Sequence, residues 1–431
     1  MIAIVSVLSA PSPAVTRPQY GGTLRVQMKA RVTALDPAEL AAHENLAALL
    51  FDRLVTLNDA GQPQASLAAS WRHDADSRRW EFQLRPGVRF HDGSPLSASA
   101  AAASLERLGA TAQGDTLVIR SEQPAPKMAA MLAGGGYSIL KRNAEGAPVG
   151  TGPFRVSAWE PGRRVALAAN DEYWGGRPYL DGVEIEMGRG AREQSLDFDL
   201  NKADLVELGI GDLRRAAQGG RKTWISAPID LLALVFDGSV DDRTREAIAL
   251  SIDRAAIHSV LLQKQGQATA ALLPQWLSGY AFLFPDARDL ERARSLARNP
   301  APILAGYDAL DSVTRAIAER VAVNAREAGI TLRPSAGLQP AAVRLVRARI
   351  RSLDAGLALA ALASALGLEA MAQAPADTPY GVERALLQGA RVVPLFHLPE
   401  IYGLGSRVRN WAPSRRGVWK LESVWLAPER P

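Results

Sequence analysis

Short runs that alternate apolar and polar residues are interspersed along this chain with helix-periodic segments, in no regular strand–helix order. Trp80, Phe82 and Leu84 alternate with Glu81 and Gln83, the pattern of a half-buried strand. Arg85-Pro86-Gly87 then turns the chain, and Ser97 stands where it can cap a helix over residues 98–108. Residues 116–120 read as a strand and 127–132 as a short helix. Residues 154–159 and 164–168 form a strand pair about the Glu160-Pro161-Gly162 turn. Longer helices are predicted over 241–251, with Ile248, Ile252 and Ile257 on one stripe, and over 311–329, with Val313, Ile317 and Val321. This order excludes a doubly wound nucleotide fold and points to a mixed α/β (α+β) chain built in several lobes.

Size and composition agree. The 431 residues amount to roughly three domain-sized units. Hydrophobic residues at 47% and charged residues at 22% exclude a disordered or fibrous chain. There is no cysteine, which excludes a disulfide framework, a zinc–thiolate site, an iron–sulfur cluster, a catalytic thiol and a lipid-bearing cysteine. The net charge of +5 is spread thinly. Its densest basic stretch, Arg407, Arg409, Arg415, Arg416 and Lys420, is interleaved with Trp411 and Trp419 and reads as a solvated tail, with no nucleic-acid partner.

The first residues carry an address. Residues 2–8 are apolar, and Ser12 and Ala14 follow at the −3 and −1 spacing of a signal cleavage site. The charged start of such a segment is missing, so residues 1–20 are read as a truncated signal peptide and tail. The expectation is an exported, soluble, periplasmic protein. The apolar run 355–366 is too short to span a membrane, which takes about 20 residues.

Catalytic signatures fail one by one. No phosphate-binding G-x-x-x-x-G-K-[ST] occurs, no G-x-S-x-G elbow, and His43-Glu44 lacks the second histidine of H-E-x-x-H. The five histidines, at 43, 73, 91, 258 and 397, are scattered. The reading is a non-enzyme with no metal site and no cofactor.

Five segments in order carry a resemblance: TALDP at 33–37, LAASW followed by WEFQLRPGVRFHDGSP at 67–95, VGTGPFRVSAWEPGRRVALAANDEYWGGRPYLDGVEIE at 149–186, DDRTREAIALSIDRAAI at 241–257, and VVPLF at 392–396. Together they resemble the family 5 extracellular solute-binding proteins, the peptide- and nickel-binding group that serves ATP-binding cassette importers. The resemblance implies a type II periplasmic-binding-protein fold with discontinuous lobes around a ligand cleft. Lobe I would comprise residues 21–45, 150–230 and 390–431, lobe II the insertion 46–149, and lobe III a shortened 231–389. It further implies a monomer that binds a peptide or other small polar solute and delivers it to a membrane permease. The alternatives weighed are a degenerate binding fold acting as a sensor or interaction module, and a periplasmic hydrolase, which has no motif behind it.

Candidate ligand contacts are Tyr137, Trp276, Tyr280, His397 and Tyr402, each an aromatic or imidazole near an expected lobe junction. Gly150, Gly152 and Pro153 are expected to form the hinge, where small residues absorb a rotation. Tyr173 and Trp174 are expected to pack a lobe rather than touch ligand. One departure stands out: Leu353-Asp354-Ala355 resembles a family Tyr-Asp-Ala strand, yet the acidic loop expected to follow it, the relatives' anchor for a peptide amine, is replaced by GLALAALASALGLEAMAQAPADTP, with only Glu369 and Asp377 acidic.

Overall fold

A computed structural model describes residues 17–40, 43–280, 283–297, 301–369 and 378–428. The export signal read at residues 2–14 lies outside them, as does Asp377.

The molecule is organised around one mixed sheet of eleven strands. Its first half runs from Phe154–Glu160 through Arg164–Ala169, Gly182–Glu186 and Thr23–Gln27 to Leu205–Glu207. Its second half comprises Val343–Arg349, Ile303–Tyr307 and Leu332–Ala336. Two long strands, Val392–Leu404 and Lys222–Phe236, join the halves and pair antiparallel with each other from Lys222↔Leu404 to Val235↔Val392. That register slips between Ile225 and Pro228 and again between Pro228 and Asp230. Pro228, which has no amide hydrogen to donate, faces Pro399 there.

The apolar end of Lys222–Phe236 explains its central place. Leu232, Leu234 and Phe236 enter one core, and Leu231, Ala233 and Val235 enter another on the opposite face. A strand covered on both faces loses the alternation of an edge strand and reads as a continuous apolar run. One face is covered by the helix Ser312–Glu327, whose Ile317, Val321 and Ala325 recur at four-residue intervals and are buried. Asp311 caps it by accepting from the amides of Val313 and Thr314 at 2.9 and 3.3 Å. The other face is covered by Ala355–Leu366 and Pro379–Leu387.

Residues 54–139 build a separate small core around the four-stranded sheet Ala68–His73, Arg79–Leu84, Thr116–Arg120 and Thr111–Gln113. Trp80, Phe82 and Leu84 are buried in it, with Glu81 half-buried and Gln83 exposed between them. The segment 353–355 is no strand. Asp354 instead accepts from the amide of Leu357 at 2.9 Å and caps Ala355–Leu366, because a carboxylate satisfies the open amides of a helix start better than it lines a strand. The strand falls earlier, at Val343–Arg349.

The glycines expected to hinge have another visible duty. A Cβ on Gly150 would stand 2.0 Å from the carbonyl oxygen of Leu50, and one on Gly152 2.5 Å from the carbonyl carbon of the same residue. Close backbone approach needs glycine there. Nearby, the Asp52 carboxylate accepts from Thr151 Oγ1 (3.0 Å), Tyr173 Oη (3.1 Å) and Trp174 Nε1 (2.8 Å), with Arg85 stacked on the Trp174 ring at 4.6 Å. Burial raises the Asp52 pKa to about 6, against the pull of these three donors. The Tyr173-Trp174 pair therefore fastens the root of the small core to the large sheet.

Candidate functional site

A cleft of about 780 Å³ opens beside the crossing of the two long strands. One wall is the chain leaving Thr23–Gln27, from Met28 to Arg31, with the start of the helix Glu44–Leu50. The opposite wall is the start of Ser312–Glu327 and the strand Val343–Arg349 with Arg351 beyond it. Asp230 and the segment from Pro399 to Tyr402 form the floor between them.

The lining is densely charged and largely self-paired. Glu44, only 6% exposed, lies 3.1 Å from Arg416 Nη1 and 3.3 Å from Arg53 Nη1. Burial opposes its charge, but Arg416, Arg53 and Arg349 outweigh burial and hold its carboxyl below the ordinary glutamate range. Arg349 grips Glu400 with both terminal nitrogens, the longer contact being 3.1 Å, and donates to the carbonyl of Arg416. Burial pushes the Glu400 carboxyl up even so. Arg347 reaches Asp311 at 3.4 Å and Asp230 at 4.0 Å, and Glu207 accepts from the amide of Lys29 at 2.7 Å.

An aromatic group closes the floor. Tyr402 lies within 5.6–6.0 Å, centroid to centroid, of Trp411, Trp419 and Trp224, and its hydroxyl takes a 3.3 Å hydrogen bond from Asn45 Nδ2. Among the described residues no group of three or more histidine, aspartate or glutamate side chains is placed to hold a metal ion.

Of the five contact candidates, Tyr402 lines this cleft. His397 lies on the same long strand but is 1% exposed, with Nε2 3.0 Å from the carbonyl of Leu272. Burial lowers its pKa to about 4, so at neutral pH it is an uncharged core donor. Trp276 donates to the carbonyl of Pro228 at 3.0 Å beneath the guanidinium of Arg415. Tyr280 donates to the buried Glu383 and packs against Phe284 and Tyr380. Tyr137 packs on the small core around Trp80. The structure therefore does not gather these five into one constellation.

The charged lining was not among the candidates, although a signal for it exists. Arg347, Arg349 and Arg351 recur every second residue, which puts them on one side of an extended chain. Asp230 likewise interrupts the apolar run from residue 227 to 236.

Residues 62–360 match the family model described as bacterial extracellular solute-binding proteins, family 5, middle region. The chain belongs to this family. Among curated family 5 relatives, the nickel-binding protein NikA of Staphylococcus aureus is 23% identical over 204 residues, 43% of this chain and 41% of its own length. The oligopeptide-binding protein AppA of Bacillus subtilis is 23% identical over 301 residues, 60% of this chain and 54% of its own. The chain thus spans about half the length of the curated relatives it matches. Solved structures share the fold far more widely. S. aureus NikA in complex with Ni(L-His)2 superposes with a TM-score of 0.84 at 17% identity, over 94% of this chain and all of that one. DppA of Helicobacter pylori, in complex with the peptide STSA, gives 0.81 at 19% identity, over 95% and 99%. The expected type II periplasmic-binding-protein fold, with a ligand cleft, is therefore the fold of this chain. Among the described residues no helix is long and apolar enough to cross a membrane.

Proposed function

We propose that this protein is the substrate-binding component of an ATP-binding cassette importer. It captures a peptide or other small polar solute in the charged cleft, outside the cytoplasmic membrane, and hands it to a membrane permease. The observation that carries the reading is the cleft itself: about 780 Å³, lined from both halves of one sheet that two long strands join. Such a cavity can enclose a small ligand and present polar groups already in place. Family 5 membership and ligand-bound neighbours such as NikA and DppA support it.

In this reading the lobes are 21–45 with 150–230 and 390–431, then 46–149, then 231–389. The two long strands bend at the register slips near Pro228 and Pro399, and Gly150, Gly152 and Pro153 support the root of the second lobe. Binding and release make or break no covalent bond.

The test is a thermal-shift screen of the purified protein against amino acids, di- to pentapeptides, sugars and divalent metals. A ligand at 100 times its Kd adds about 2.7 kcal/mol of stability. A rise in melting temperature with any member upholds the receptor reading. No rise across the panel, from a folded sample, overturns it.

A further inference from the structure

The small core of residues 54–139 is held on two sides, and the two attachments are unlike. On one side its root is tied to the segment 150–174. Asp52 accepts from Thr151, Tyr173 and Trp174, and His91 Nε2 lies 3.0 Å from the carbonyl of Gly152. On the other side it meets the start of the helix Ala355–Leu366 at the surface. Lys127 Nζ reaches the two Asp354 oxygens at 2.7 and 2.9 Å, with the lysine side chain 54% exposed.

A shaped hairpin tip supports this second contact. Val55–Leu57 pairs with Pro63–Ala65, and Asn58 fixes the turn between them. Its Oδ1 accepts from the amides of Ala60 and Gln62 at 3.0 and 2.9 Å, and its Nδ2 donates to Gln62 Oε1 at 3.0 Å. The turn brings Gly61 so near Leu353 that a Cβ there would stand 3.0 Å from the leucine Cβ and 3.3 Å from its carbonyl oxygen. Asp59, in the same turn, accepts from the amide of Arg415 at 3.0 Å, and the Arg415 guanidinium covers the Trp276 ring at 4.8 Å. Trp276 packs on the core that holds Leu231, Ala358 and Leu362. Arg351, two residues before Leu353, lines the cleft, so these contacts lie at that end of it.

We propose that the hairpin tip 58–62 and Lys127 form a clasp, which holds the third lobe closed over the cleft and lets go when solute enters or leaves. The assignment rests on the lobe division of the receptor reading, and not on the identity of any solute. The two halves of the large sheet are joined by Lys222–Phe236 and Val392–Leu404. The small lobe is rooted on the first half, so its contact with Leu353 and Asp354 spans the pivot between the two. The third lobe cannot swing away from the first without breaking that contact. The strengths are graded to match. An exposed ion pair is weak and yields to thermal motion, whereas a carboxylate held by three donors at the root does not.

The experiment reads the unliganded protein. The chain has no cysteine, so Gln123→Cys and Ala360→Cys, at exposed positions on either side of the contact, take two paramagnetic labels and report one distance across it. Lys127→Met and Asp354→Asn each remove the ion pair, and asparagine caps a helix as well as aspartate does. Each variant is expected to move the ratio of short to long separations about two- to fivefold towards the long one, as for the loss of one exposed pair. The double variant should go no further than either alone, with the circular dichroism of all three unchanged. Distances that match the wild type in both single variants overturn the clasp. Shifts that add in the double variant overturn it too, because the two residues then act separately. The receptor reading is tested apart from this by the thermal-shift screen. Unchanged distances leave that reading standing, and a silent screen removes it while the distances still decide the clasp.

Discussion

Lys127 Nζ stands 2.7 Å from Asp354 Oδ2, joining the small core to the helix Ala355–Leu366 across 227 positions of sequence. Beside this contact a Cβ on Gly61 would press on Leu353 at 3.0 Å, so the two parts also touch through backbone. Lys127 is half-exposed, and exposed ion pairs contribute about 0–1 kcal/mol. Asp354 has the second duty of capping its helix. Lys127→Ala should therefore cost less than about 1 kcal/mol in urea unfolding. Asp354→Ala should cost about 1 kcal/mol more, for the lost cap. Equal costs would show that the cap contributes nothing.

A pH dependence follows from Asp52. Its folded pKa of about 6 lies above the ordinary 3.8, so the folded state binds the extra proton between those values. Stability from this group is fully present below about pH 4 and is lost as pH rises towards 6, on the order of 2–3 kcal/mol in all. Asp52→Asn removes the titration. Its Oδ1 can accept from Trp174 and Thr151, and its Nδ2 can donate to the Tyr173 hydroxyl. The stability of the wild type relative to the variant should fall between pH 4 and 7, by on the order of 2–3 kcal/mol; parallel curves would refute the assignment.

Arg349 supplies the countercharge for Glu400, which lies close to Asp230 and Glu207. Arg349→Met leaves three carboxylates around the cleft floor, with Glu400 deprived of its direct ion-pair partner. The expected loss is about 3 kcal/mol at pH 7, as for other buried pairs broken on one side. Because burial already pushes Glu400 up to about 7 and losing Arg349 raises it further, the loss should shrink as pH falls from about 9 to 7. A loss independent of pH would point to packing instead.

Gly150→Ala should destabilise by more than about 2 kcal/mol, because the atom that an added Cβ meets is backbone and cannot swing aside. Gly87→Ala is the comparison: its Cβ would meet nothing within 4 Å, and the cost comes from a φ of +76° alone. That cost is about 1 kcal/mol. Melting temperatures of the two variants separate close approach from backbone conformation.

The scaffold was legible where local chemistry is strong. Alternation around Trp80 and Phe82, the cap at Ser97, the helices starting near Asp241 and Asp311, and the Pro-Gly turn at 161–162 all depend on neighbours in sequence, and the elements form there. The long strand Lys222–Phe236 was missed because an apolar run without alternation carries no period. The cleft was harder still. Aromatic residues were expected to line it, yet Trp276, Tyr280 and Tyr137 each found partners nearby, while charged side chains that were not among the candidates make up about a third of the lining. Glu44, Arg349, Glu400 and Arg416 are brought together by tertiary pairing, with sequence separations of up to 372 residues, which no local pattern reports.

The path of the chain through the sheet has a consequence for how the protein is made. Leu24 and Val26 share a core with Tyr402, Trp419 and Leu426, and Leu205–Glu207 pairs with the end of Val392–Leu404. Among the described residues, only the core of residues 54–139 draws its buried members from one compact stretch of chain. A ribosome must therefore finish almost the whole polypeptide before the first strand finds its last partners, and until then the chain stays largely open. A polypeptide that closes late is one that can still be threaded through a narrow channel after most of it has been synthesised.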